Sequence, residues 1–337
     1  MPRAVVLGCS GPVLGDDERR FFAEADPIGF ILFGRNAESP DQLRALVSDL
    51  RAAVGRDDAP VLIDQEGGRV TRLGKPHWYA PPAARVFGHM SNRRPQDASK
   101  AAYLNARMIA ADLADAGITV DCAPVLDLLW EEGHDVIGDR AFSSEPAVVG
   151  ELGYQTCKGL MEGGVLPVLK HLPGHGRAKV DSHEALPVVD ALHIHLANKD
   201  FRPFIELGEA PWGMTAHVDF YYIDGDKPAT VSPKMINIII RQEIGFQGVL
   251  ISDDLSMKAL SGNLRERAEA TLNAGCDLAL HCNGRLDEMR ELMEGVGEIR
   301  SETADRLARA EEMRLETRTD DFDREDVQRQ LDGLMRE

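Results

Sequence analysis

Short runs of apolar and β-branched residues alternate along this chain with longer stretches in which apolar residues return every three or four positions. The runs are 4–9, 28–33, 61–63, 119–125, 165–170, 212–218, 248–252 and 277–282. Each has the length of a strand and reads as nearly continuously apolar, as strands covered on both faces do. Between them, 40–54, 98–116, 146–163, 232–244, 263–274 and 285–296 read as amphipathic helices. Ser39-Pro40 and Ser232-Pro233 are starts of the kind helices favour, because proline suits the first turn. Gly117, Gly164 and Gly275 stand where a left-handed C-terminal cap is expected.

Strands alternating with helices predict an α/β protein with a parallel sheet. Eight is the closure number of the (β/α)₈ TIM barrel, and the chain exceeds the usual ~250 residues by no more than loop insertions allow. An open doubly wound sheet is the rival. Against it, the first strand leads through Gly8-Cys9-Ser10-Gly11 to Pro12, without the Gly-x-Gly-x-x-Gly of a dinucleotide site. No linker or repeat interrupts the pattern. We expect one barrel domain over 1–300, with 301–337 a charged helical extension packed on the barrel or fraying from it.

Composition narrows the function. The 337 residues carry a net charge of −18, with 43% hydrophobic and 28% charged positions, and no cluster of Lys and Arg stands free of acids. That predicts neither nucleic acid nor membrane as a partner. No apolar run approaches the roughly 20 residues of a bilayer span. Val6-Leu7-Gly8-Cys9 faintly resembles a lipoprotein cleavage site, but too few residues precede Cys9 for a signal peptide, and a first strand is the expectation. Five scattered cysteines without a Cys-x-x-Cys suggest buried thiols in a cytoplasmic protein.

Candidate chemistry gathers at the strand ends, where a barrel places its active site. Asp64-Gln65-Glu66-Gly67-Gly68-Arg69 follows the third run and Asp127 the fourth; Lys170 and His171 end the fifth, His217 the sixth, Asp253 the seventh, and Asn283 lies near the eighth. Asp64 suits the acceptance of vicinal hydroxyl protons, and Arg140 in the loop after the fourth strand suits a hydroxyl or carboxylate. Of Asp253 and Asp254, strand alternation turns only one toward the axis, and the pattern does not say which. His171 and His175 have the spacing of a helical zinc site, but Pro173 and Gly174 between them break the helix that would give it meaning. Asp181 and His183 form a second pattern, a carboxylate that orients an imidazole able to give and take a proton.

These segments resemble the family 3 glycoside hydrolases, and within them the single-domain bacterial β-N-acetylhexosaminidases. The matching pieces are Asp64 to Val70, Ala123 to Asp127, Ile137 to Arg140, Lys170 to Gly176 with Asp181-Ser182-His183, Ala216 to Val218, and Gly248 to Met257. They occur in the family's order over nearly the whole chain. The resemblance implies a (β/α)₈ barrel, Asp253 as nucleophile, His183 as acid/base and Asp181 as its orienting partner. It implies Asp64, Arg140, Lys170 and His171 as holders of the sugar hydroxyls, with Arg69, His217 and Asn283 as weaker transfers. Leu172 replaces the family's usual Phe, and Ala141-Phe142-Ser143 varies its Ser-Phe-Gly, departures that bear on substrate preference.

The expected activity is that of a retaining exo-β-N-acetylglucosaminidase needing no cofactor and no metal. By resemblance its substrate is a muropeptide fragment, terminal β-linked N-acetylglucosamine on anhydro-muramic acid, released in cell-wall recycling. A monomer or weak homodimer is expected. The alternatives are a β-glycosidase of different sugar preference, a metal-dependent barrel hydrolase using His171, His175, His183 and His217, and a sugar-binding protein without activity.

Overall fold

In a computed structural model, which describes residues 1–336, the eight apolar runs close into one parallel barrel. Its strands are β1 (Arg3–Gly8), β2 (Pro27–Leu32), β3 (Val61–Ile63), β4 (Val120–Asp121), β5 (Leu166–Leu172), β6 (Trp212–Thr215), β7 (Val249–Asp254) and β8 (Leu278–His281). Neighbours in sequence are neighbours in the sheet, and β1 closes the ring: Leu7 is in register with Phe30 of β2 on one side and His281 of β8 on the other. The order excludes the open doubly wound sheet. β2 and β5 are buried along their whole length, which explains why their sequences do not alternate.

The helices start and stop for local reasons. The Ser39 hydroxyl accepts from the Gln42 amide at the head of Pro40–Val54. Asn263 and Glu266 exchange side-chain and backbone bonds at the head of Leu264–Ala274, and Gly275 ends that helix at φ +118°, a conformation that favours glycine. The segment expected as a helix over 232–244 is capped by Ser232, but Met235–Glu243 takes the wider π winding. Helices Asp16–Ala25 and Ala84–Ser91 escaped the sequence reading. So did a short parallel ribbon outside the barrel, Val188–Val189 with Asp219–Phe220.

Residues beyond 300 form helices Ser301–Thr317 and Arg324–Arg336. The first is tied to the barrel by Thr303 and Arg306, both 2.8 Å from the Asp277 carboxylate. The second is held by Arg324 on Asp112 at 2.6 Å and by the buried Leu331. Among the described residues no helix is long and apolar enough to cross a membrane.

Candidate active site

The carboxyl ends of the strands surround a cleft of about 460 Å³. On one wall five charged side chains interlock. Lys170, at the end of β5 and only 2% exposed, places Nζ 2.9 Å from Asp64 Oδ1 and 2.6 Å from Glu66 Oε1. Arg140 spans both Glu66 oxygens at 2.8 Å, and Arg72 reaches Asp64 Oδ2 at 3.1 Å. Burial opposes ionisation of both acids, yet Lys170 and Arg72 pull Asp64 below the ordinary carboxylate range, and Arg140 and Lys170 do the same for Glu66. Burial likewise works against the Lys170 charge, and Asp64 and Glu66 more than restore it, so the ammonium is retained. The loop between these acids and Arg72 is braced by Gln65, whose buried amide accepts from Arg72 and Leu73 and donates to the Leu73 carbonyl.

The floor is built on Asp127 and Asp253. Asp127 is buried and accepts from the His171 Nδ1 at 2.6 Å and from the His175 amide at 2.6 Å. That bond fixes the His171 tautomer and leaves its Nε2 for the cleft. Burial raises the Asp127 pKa, and His171 and His175 more than offset it. His175 itself is buried, which pushes it down to about 4 and keeps it neutral.

The two acids at the end of β7 separate clearly. Asp254 holds the loops: its carboxylate accepts from the Ser256 amide and hydroxyl and from the Cys282 amide. Asp253 accepts from the Asp254 amide at 2.8 Å and otherwise faces the cleft. Burial penalises its charge, but His171, His217 and Lys170 nearby leave it below the ordinary carboxylate range. It is therefore an ionised carboxylate at neutral pH, and among the described residues no cation is bonded to it.

His183, on the loop after β5, lines the same cleft with its side chain 67% exposed. The Asp181 Oδ1 accepts from both the His183 amide and its Nδ1, each at 2.8 Å. Burial works against the Asp181 charge, and these bonds with His183 outweigh it. With Nδ1 committed, Nε2 is the atom that can exchange a proton with a ligand.

An ionised carboxylate that lines the same cleft as a carboxylate-oriented imidazole, beside a wall of fixed polar groups, suits acetal chemistry on a polyhydroxylated ligand. Residues 15–312 match the glycosyl hydrolase family 3 N-terminal domain. The chain belongs to that family. It is 40% identical to a β-hexosaminidase from Methylobacillus flagellatus over 90% of this chain and 87% of that one. To a β-hexosaminidase from Bordetella avium it is 37% identical, over 87% and 84%. Among solved structures, NagZ from Neisseria gonorrhoeae in complex with N-trifluoroacetyl-D-glucosamine superposes with a TM-score of 0.87 at 32% identity, covering 99% of this chain and 98% of that one. As a family 3 member the protein is a glycoside hydrolase.

Of the residues singled out in the sequence, Asp64, Arg69, Arg140, Lys170, His171, Asp181, His183 and Asp253 all line this family 3 cleft. Two are already spent there: Arg140 on Glu66, and Arg69 on Asp139 and the carbonyls of Val136 and Ile137. His217 stands apart. It is fully buried, with Nδ1 on the Thr230 hydroxyl and Nε2 on the Asp254 carbonyl, so it braces the end of β7 instead of meeting a ligand. Asn283 is bonded to Glu288, outside the cleft lining. The four histidines of the metal alternative do not assemble: among the described residues no group of three or more His, Cys, Asp or Glu is placed to hold an ion. Glu66, Arg72 and His134 were missed as cleft residues. Glu66 was within reach, because it lies in the polar segment directly after β3 that already supplied Asp64 and Arg69.

Proposed function

We propose that this family 3 enzyme is a retaining exo-β-N-acetylglucosaminidase, with Asp253 as nucleophile and His183 as acid/base. The observation that carries the reading is the placement of an ionised, uncommitted Asp253 in the same cleft as the Asp181–His183 pair. The β-hexosaminidase relatives, and the glucosamine derivative bound to the gonococcal neighbour, support the N-acetylhexosamine preference.

In the first step an Asp253 oxygen bonds to the anomeric carbon as the glycosidic bond breaks. The departing oxygen takes the proton from His183 Nε2, while Asp181 stabilises the charge that the imidazole carries before transfer. In the second step His183 removes a proton from water, the water oxygen displaces Asp253, and the sugar leaves with its original β configuration. Asp64, with two lone-pair positions left beside Lys170 and Arg72, accepts from sugar hydroxyls, as does His171 Nε2, whose ring carries its proton on the Nδ1 bonded to Asp127; Lys170 donates to them. Glu66 and Arg140 hold Lys170 and Asp64 in place.

The natural substrate we infer is a muropeptide fragment ending in β-linked N-acetylglucosamine, which places the enzyme in cytoplasmic cell-wall recycling. The test is release of nitrophenol from the β-N-acetylglucosaminide and the β-glucoside side by side, with EDTA present. Turnover of the first alone, lost in Asp253→Ala, is expected. Near-native turnover by Asp253→Ala, or a requirement for added zinc, overturns the reading.

A further inference from the structure

Among the described residues His183 has one side-chain partner, Asp181, and that residue rides on the same loop. Where the imidazole stands is therefore decided by what fixes the loop. Six residues upstream, Arg177 lays its guanidinium over the Trp130 ring, 3.7 Å from the centroid. Its Nε donates to both Asp200 oxygens, at 3.0 and 2.9 Å. The Trp130 indole donates to Asp200 Oδ1 at 3.2 Å. Trp130 comes from the loop after β4, Arg177 from the loop after β5, and the buried Asp200 from the helical segment leading toward β6.

The stack is directional. A planar cation on an indole face, with its edge on a desolvated carboxylate, has one good arrangement, unlike a flexible surface ion pair. The backbone beside it leaves little slack. A Cβ on Gly176 would lie 2.0 Å from the Leu128 carbonyl oxygen, and the His134 amide donates to the Ala178 carbonyl at 2.7 Å. None of the three side chains lines the cleft that holds Asp253.

We propose that Trp130, Arg177 and Asp200 are positioning residues that hold the acid/base loop and so set how well His183 protonates the departing oxygen. The inference rests on His183 being the acid/base. Its consequence is selective: a good leaving group departs without a proton, a poor one does not. The experiment compares kcat/KM for 2,4-dinitrophenyl and phenyl β-N-acetylglucosaminides in wild type, Arg177→Met, Trp130→Leu and His183→Ala. Of the roughly 10²–10⁴-fold that a general acid supplies, Arg177→Met should lose about tenfold on the phenyl substrate and less than about twofold on the dinitrophenyl one. Trp130→Leu, which keeps the Arg177–Asp200 pair, should show the same pattern, and thermal midpoints identify any variant that fails to fold. Equal losses on both substrates, or none on either, overturn the proposal. His183→Ala should show the same selectivity more strongly. If it shows none, the acid/base assignment itself falls, and with it the purpose of the clamp.

Discussion

Replacing Lys170 with Met tests whether the charged wall of the cleft is held together as its geometry implies. The ammonium is 2% exposed and serves two acids at 2.9 and 2.6 Å, while Asp64 and Glu66 are themselves only 15% and 7% exposed. Breaking a buried ion pair from one side costs about 3–5 kcal/mol, because the other charge is left without its partner. Here Arg72 stays on Asp64 and Arg140 on Glu66, and the cleft admits water, which points to the lower end, about 3 kcal/mol. Methionine keeps most of the side-chain volume, so little of the loss is packing.

The measurement is reversible urea unfolding of wild type and Lys170→Met, repeated between pH 5 and 8. Both acids are held below their ordinary range in the folded protein, so the stability they contribute is complete above their unfolded values of about 3.9 and 4.3. It is lost only as the pH falls through the lower folded values. The Lys170 pKa is raised, so its contribution is present below the unfolded value of about 10.4. The gap between the two proteins should therefore be flat from pH 5 to 8 and narrow only in stronger acid. A gap below about 1 kcal/mol at pH 7, or one that widens from pH 6 to 5, would refute the argument.

Two other buried groups give pH signatures of opposite sign. His175 is held neutral down to about 4, while the unfolded chain binds its proton near 6.5, so wild type should lose stability as the pH falls across that window, by up to about 1.4 kcal/mol per unit. His175→Asn should flatten the loss, and parallel stability curves for the two proteins would count against it. Asp121 is pushed up to about 7 by burial, with Oδ2 unpartnered beside a 20 Å³ cavity, so its ionisation penalty grows as the pH rises from about 4 to 7. Asp121→Asn keeps an oxygen for the Gln65 amide and should gain on wild type between pH 5 and 8; a variant that loses ground on going to pH 8 would contradict this.

The architecture was legible because its signals are local. Unbroken apolar runs, Ser39 before Pro40, Ser232 before Pro233 and glycine at 275 each act within a turn or two of chain, and the folded protein uses every one. What escaped were elements with weak local signatures: the two-residue strand partners at 188–189 and 219–220, and the short helix Ala84–Ser91. The site divided in the same way. Its candidate residues could be named from their positions at strand ends, whereas the state of each depends on neighbours from other strands. Nothing in the sequence around Arg140 says that it spends its fork on Glu66, seventy-four positions away. Nor does it say that His217 turns both nitrogens into the barrel wall.

The sequence by itself thus determined the eight-fold alternation, the strand ends that carry the chemistry, and the family to which those ends are similar. Strand alternation left Asp253 and Asp254 open and the resemblance implied Asp253, but only the tertiary structure decided how the two carboxylates are occupied. The two differ by one position, and what separates them is that Ser256 and Cys282 claim the second carboxylate while the first is left to the cleft. Hydrophobic period and capping are properties of consecutive residues. Which polar group remains unpaired depends on every partner that closure of the barrel brings within about 3 Å, and no stretch of sequence contains that set.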